Sequence, residues 1–243
     1  MTLITIIVPA IRSGLARGRA VKCKGNLRAL YSANMLYASD EGFYVPGAAD
    51  IRERNLERWH GSRASISTPF KGESGPLARY LGGAGMVRRC PSFARYHTDP
   101  DADNAFESSC GGYGYNLRGV GSRLYLMGDR PAAYDRGMAP DMIDAPAMTV
   151  MFCDTAFAQP YGRPEHLIEY SFAEPYSFSL ERDGQGGHRT TPSIHFRHQG
   201  RSQVVWCDGH VSEEEPQLPP TPPHSEFDIN WLGPADNSLF DPY

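Results

Sequence analysis

No run of about 20 apolar residues occurs in this 243-residue chain, so it contains no complete membrane-spanning helix. Also missing are the G-x-S-x-G elbow, the G-K-[ST] phosphate loop, G-x-G-x-x-G, H-E-x-x-H and any C-x-x-C pair. Nucleophilic, phosphoryl-transfer and zinc-finger chemistry therefore have no motif behind them. Charge of one sign is absent at each end. Up to Ser39 there are six basic residues (Arg12, Arg17, Arg19, Lys22, Lys24, Arg28) and no acid, while Val211 to Tyr243 holds no Lys or Arg. From Asp40 onward 18 basic residues face 28 acidic ones, and the whole chain carries −4. An acidic body makes a poor phosphate binder, so no nucleic-acid partner is expected. A basic segment behind an apolar start suits the headgroup boundary of a membrane or, equally, a solvated helix face.

What is present describes a folded chain. The apolar fraction of 40% excludes global disorder. Gly and Pro together make 45 residues, roughly 19% against a usual 12%, which predicts long connections between short elements. The opening Met1 to Ile11 is apolar but lacks the positive leader of a secretory signal. From about Ala10 to Tyr37, Ala16, Ala20, Cys23, Leu27 and Leu30 recur at spacings of three and four and, with Tyr31 and Leu36, read as one apolar stripe of a long helix. Asp40-Glu41-Gly42 should stop it. Beyond lie short strands and loops: a turn of helix at Gly75–Leu81, a buried strand at Met148–Cys153, and two strands, 193–197 and 202–207, around Gln199-Gly200. A second turn at Asp208-Gly209 follows, of the type I′ kind that Asp-Gly favours. The stretch 159–191 has no clean period. Five prolines at 216, 219, 220, 222 and 223 mark 215–223 as an extended linker before a C-terminal tail. The chain thus divides into a helix over 1–42 and a β-rich globular domain over 43–243.

His188, His195, His198, Asp208 and His210 fall close together in sequence and form one candidate constellation, a metal-dependent hydrolase site. Their spacing opposes it. His195 and His198 differ by three and would point to opposite faces of a strand, and Asp208 lies a strand's length from His198. Gly111-Gly112-Tyr113-Gly114-Tyr115 reads as a tight turn beside packed tyrosines rather than a nucleotide loop. Of the five cysteines, Cys153 and Cys207 lie in apolar strands as buried thiols. Cys90 and Cys110 flank a polar loop, and a bridge there would contribute about 3 kcal/mol in an oxidising compartment, with the pairing left open.

From His198 to Val211 the sequence reads His, nine residues, then Asp208-Gly209-His210-Val211. This resembles the H-x9-D-G signature of bacterial prepilin-type, pseudopilin-like proteins related to the type II secretion protein G family. Pro9-Ala10-Ile11, Arg17, Ala20, Cys23 and Asn26-Leu27-Arg28 are similar to the family's N-terminal run at matching spacing. Asp40 to Pro46 looks like its helix exit, Cys90-Pro91-Ser92 like its C-P-S, and Tyr113-Gly114-Tyr115-Asn116 like its Y-G-Y-N. Asn230 to Asn237 is similar to the close of some members. The chain departs from the pattern at its start. Thr5 stands where the family's G-F-T-L-I-E processing site has Glu, and roughly a dozen fewer apolar residues precede Pro9 than a span of about 20 requires. Either the start is internal or this copy has lost its anchor.

The resemblance implies an α+β, pilin-like fold: a long N-terminal helix packed on an antiparallel sheet with long loops. It implies a non-enzymatic structural subunit of a type II secretion or type IV pilus-type system. Such a subunit would be anchored in the inner membrane facing the periplasm, or be extracytoplasmic. Its partners would be copies of itself or other pilin-like subunits, met through the helix. A third role is an extracytoplasmic binding module that has lost its membrane anchor. The signature residues His198, Asp208, Gly209 and His210 are then structural, with no catalytic residue and no cofactor expected. Relatives of the type II secretion kind bind calcium through loop carboxylates, which would make Asp154 or Asp208 the calcium ligands here, although no ligand-rich loop surrounds either.

Overall fold

The computed structural model describes residues 2–96, 107–158, 167–178, 188–219 and 224–243. Its longest element is a 40-residue helix, α1 (Thr2–Glu41), which carries Pro9 inside it. Helix continues on both sides of the expected limits, and Pro9 lies inside it beyond the first turn, where it lacks the N–H that would bond Thr5 O. α1 ends at Gly42, whose N–H donates to the Ala38 carbonyl at 2.8 Å in a one-bond helix cap. Among the described residues no helix is long and apolar enough to cross a membrane.

Among the described side chains of α1, only those of its rear half are buried. Cys23, Leu27, Leu30, Ala33, Asn34 and Ala38 face inward at spacings of one, three and four, the stripe of an amphipathic helix. Leu36, expected on that stripe, is 54% exposed, because it follows Leu30 by six residues and so points roughly 120° away from it on a helix of 3.6 residues per turn. Of the front half, Val8, Ile11 and Leu15 are exposed on one face.

The rear packs on a four-stranded sheet made of β1 (Tyr113–Tyr115), β2 (Val150–Asp154), β3 (Ser202–Trp206) and β4 (Val211–Glu214), neighbours in that order and antiparallel throughout. Every residue of β2 and β3 is buried, as continuous apolar runs predict. Phe152, Tyr113, Tyr115 and Val205 join the helix side, while Cys153, Val204 and Trp206 join Ile194, Phe196, Leu232 and Phe240 on the other. The pairing of β2 with β3 shifts between Val205 and Trp206. The C-terminal residues are no free tail: Ile229, Trp231, Leu232 and Phe240 are buried, and Val150 N–H donates to Leu239 O at 2.8 Å. Of the expected linker, 220–223 lies outside the described residues. The architecture is α+β, one long helix on antiparallel sheet with two- to five-residue strands and long connections.

Two expected hairpins differ in form. Ile194–His195 does not pair with β3 but with Ile229–Asn230. The chain turns at Gln199-Gly200, both at positive φ (59° and 81°), with His198 and Arg201 exchanging backbone bonds at 3.0 and 3.3 Å. That is the type I′ pattern. At Asp208-Gly209 only Gly209 has positive φ, +90°, and its N–H donates to Trp206 O at 3.0 Å. This is a three-residue loop closed by a type I turn and a left-handed glycine, so the type I′ expectation there is corrected. The extra residue follows from Trp206 N–H pairing with His210 O at 3.1 Å.

Candidate functional site

Where the rear of α1 meets the sheet, a buried polar cluster interrupts the apolar seam. α1 supplies Cys23; the Cys90-Pro91-Ser92 corner supplies Cys90; the end of β2 supplies Asp154; and Arg197 and His198 come from the segment entering the Gln199-Gly200 turn. Cys23 donates its thiol to Asp154 Oδ1 at 3.1 Å and accepts from Tyr113 OH at 3.4 Å. His198 Nε2 stands 3.1 Å from Asp154 Oδ2 and 3.7 Å from Cys90 Sγ. Arg197 reaches Asp154 Oδ1 at 2.5 Å and Cys90 Sγ at 3.4 Å, and its remaining N–H groups go to Gly112 O and Thr155 O at 2.6 and 3.1 Å. Gln203 N–H donates to Asp154 Oδ2 at 2.9 Å.

These contacts decide the charges. Burial would raise the Asp154 carboxyl, but Arg197, His198 and the Gln203 N–H together hold it below the usual carboxylate range. Burial would likewise raise Cys90, yet the neighbouring Cys23, the Arg197 charge and His198 bring it down to about 4. Burial disfavours His198 as a cation, and its bonds to Asp154 and Cys90 overcome this and raise it to about 9. Cys23 stays a thiol, pushed well up by burial first and by Cys90 and Asp154 next. At neutral pH two anions, Cys90 and Asp154, therefore face two cations, Arg197 and His198, with no net buried charge.

A thiolate beside an imidazolium is the pairing of a nucleophilic cysteine. Cys90 has no exposed surface and His198 only 8%, so a substrate carbonyl has no approach to Sγ. A divalent cation, by contrast, needs only the ligand atoms, and those of Cys23, Cys90, Asp154 and His198 all lie within 4.8 Å of one another.

The five-residue hydrolase constellation is not assembled. His195 sits at the end of its short strand, so strand alternation never reaches His198, and its Nδ1 lies 3.2 Å from Arg197 Nη1. Burial and Arg197 keep it neutral, well below the usual imidazole range. His210 pairs with Asp208 at 2.7 Å on the surface and stacks on Trp206. His188 lies on the two-residue strand His188–Arg189, paired with Ser177–Phe178, and its side chain is outside the described residues. The Cys90–Cys110 bridge is also corrected. Both are free cysteines: Cys90 faces His198 and Arg197, while Cys110 is pushed well up by burial and by Glu169. Of the two expected calcium ligands, Asp154 is buried with a guanidinium and two sulfurs rather than the oxygen ligands that calcium takes, and Asp208 holds His210.

Sequence reasoning missed Arg197 and the Asp154 partner of His198. Arg197 stands beside His198 at the end of an apolar segment, where a charge must be paired if buried, and that is the signal that could have found it. It missed a second buried cluster as well. Arg58 donates to Glu107 at 3.1 and 3.3 Å, Ser171 Oγ donates to the same carboxylate, and His60 lies 4.0 Å from it, too far for a hydrogen bond. Comparison with protein-family models, curated proteins and solved structures finds no match to this chain.

Proposed function

We propose that this chain is a non-enzymatic, pseudopilin-like structural subunit of a type II secretion or type IV pilus-type system, active on the outer side of the inner membrane. In this reading the front of α1 meets copies of the chain or other pilin-like subunits, and the sheet domain is the exposed body. The observation that carries it is the convergence of the resembling residues on one seam. Asn26 donates to Tyr113 OH at 3.0 Å and to Arg88 O at 3.2 Å; Asn34 donates to Tyr115 OH at 3.1 Å; Asn116 donates to Phe240 O at 2.9 Å; and Gly209 lies against Tyr31 of α1. Residues far apart in sequence thus act as ties between helix, sheet and C-terminus, a structural use for a signature. The exposed Val8, Ile11 and Leu15 supply an apolar face that a neighbouring helix would cover.

The test is made in the source cell. An Ile11→Cys chain produced from its own locus should fractionate with the inner membrane and cross-link to a second copy or to another pilin-like subunit. DNA upstream of the Met1 codon should encode an in-frame Gly-Phe-Thr-Leu-Ile-Glu. A soluble, uncross-linked monomer outside the inner membrane would favour the binding module instead. Recovery of hydrolytic activity from the purified chain would overturn the structural role.

A further inference from the structure

We propose that Cys23, Cys90, Asp154 and His198 form a binding site for one divalent cation of the zinc class. Four donors of the types zinc prefers, two sulfurs, one imidazole nitrogen and one carboxylate oxygen, converge from four separate parts of the chain and are all buried. Zn–S bonds of about 2.3 Å and Zn–N or Zn–O bonds of about 2.0 Å set ligand-to-ligand edges of about 3.3 to 3.8 Å in a tetrahedron. The edges here are 3.1 Å from Cys23 Sγ to Asp154, 3.7 Å from Cys90 Sγ to His198 Nε2, and 3.1 Å from His198 Nε2 to Asp154. The two short distances to Asp154 run to different oxygens, Oδ1 from Cys23 and Oδ2 from His198, and one ligand atom from each of the four residues lies within 4.8 Å of the others, so a cation would draw the four donors together around itself.

The surroundings supply what such ligands need from their neighbours. Ligating side chains are held by outer hydrogen bonds that fix their orientation. Ser92 Oγ faces the far ring nitrogen of His198 at 3.5 Å, Tyr113 OH donates to Cys23 Sγ, and Gln203 N–H donates to Asp154. Arg197 donates to both Asp154 and Cys90. Charge balances too. Two thiolates and a carboxylate carry three negative charges, matched by a divalent cation and the Arg197 guanidinium, so the loaded site stays neutral in a buried place. A surface groove of about 690 Å³, lined by Ser92, Arg95, Tyr96, Arg197, His198 and Arg201 among others, brings solvent up to His198, at the edge of the cluster. The sulfur ligands select zinc or cobalt over calcium or magnesium, which take oxygen. The site holds α1 to the sheet and does not depend on whether the chain assembles with others.

The full chain is purified under reducing conditions, stripped with chelator and titrated with Zn²⁺ or Co²⁺. The expected result is one cation bound per chain by elemental analysis and a higher melting temperature with zinc. The cobalt form should show sulfur-to-cobalt charge-transfer absorption and the visible bands of tetrahedral cobalt. Cys23→Ser and Cys90→Ser should each lose charge-transfer intensity, Ser92→Ala should bind about tenfold more weakly, and Cys110→Ser should match the parent. The parent's own spectrum decides even if a serine variant fails to fold. An octahedral cobalt spectrum without the sulfur band, substoichiometric metal, or a Cys23–Cys90 disulfide in protein isolated without reductant from its native compartment would each overturn the proposal.

Discussion

Gly209 carries two constraints at once. Its φ of +90° is strained for any side chain, and a Cβ there would stand 2.6 Å from the Tyr31 ring. Gly200 has the first constraint (φ +81°) but nothing within 4 Å of its Cβ position. Gly209→Val should therefore lower stability by about 2 to 4 kcal/mol, and Gly200→Ala by only about 1 kcal/mol, as read from urea unfolding midpoints. Equal losses would show that the Tyr31 contact is unimportant. Arg197 and Asp154 are both fully buried, so Arg197→Met strands a carboxylate and should cost about 3 to 5 kcal/mol. A double change that also removes the acid, Asp154→Leu, should recover part of that loss. Acid should destabilise the fold. Burial keeps His60 and His195 neutral below their ordinary value of 6.5, so below about pH 6.5 the unfolded chain binds more protons than the folded one and stability falls. Glu107 and Asp154, both lowered by their cationic partners against the effect of burial, add a further loss below about pH 4.5. Cys90 at about 4 and His198 at about 9 have opposite slopes above pH 6.5 and offset each other there. Unfolding free energy measured from pH 8 to pH 4 should thus fall toward acid; a rise would contradict these protonation states.

At the scale of elements, the two halves of α1 should respond differently to the same substitution. Leu27 and Leu30 are buried against the sheet at 0% and 1% exposure, and truncation of either to Ala should cost about 2 to 5 kcal/mol. Leu15 and Leu36 are 58% and 54% exposed, and their Ala variants should stay within about 0.5 kcal/mol in the isolated chain. Among the described side chains, only the rear half of the helix is held by its own fold. The central strands are stabilised on both faces, by the helix on one and by Ile194, Phe196, Leu232 and Phe240 on the other. The edge strand β4 is covered less, and its charged residues Glu213 and Glu214 discourage strand addition. Lys24 of α1 pairs with Glu213 at 2.9 Å and so ties the helix to that edge.

At the scale of the whole molecule, the first and last parts of the chain close on the same sheet. Phe240 O accepts from Asn116, Leu239 O from Val150, and Pro242 O from Asp144 N–H at 2.8 Å. Removing residues 229–243 should therefore do more than trim an end. It strips one face of the sheet and should abolish the cooperative thermal transition seen by circular dichroism. Retention of a sharp transition would mean that the helix side of the sheet folds alone.

The α+β class, the long helix and the two central strands were legible in the sequence because each rests on a local period or an uninterrupted apolar run. The inward face of α1 was legible for the same reason through Cys23, Leu27 and Leu30, whereas Leu36, six residues after Leu30, is turned off that face by the helical period although Ala38 beyond it is buried. The positive φ at Gly209 could be read from Asp-Gly, but not the loop length, which depends on how Trp206 pairs with His210. His198 could be singled out by its distance from Asp208-Gly209, yet its partners lie 44 and 108 positions away, at Asp154 and Cys90. Spacing along the chain grouped it with the other histidines. Tertiary folding alone grouped it with two sulfurs, a carboxylate and a guanidinium, because buried charges and thiols are brought together by the need to satisfy one another out of water, which leaves no period for a sequence to display.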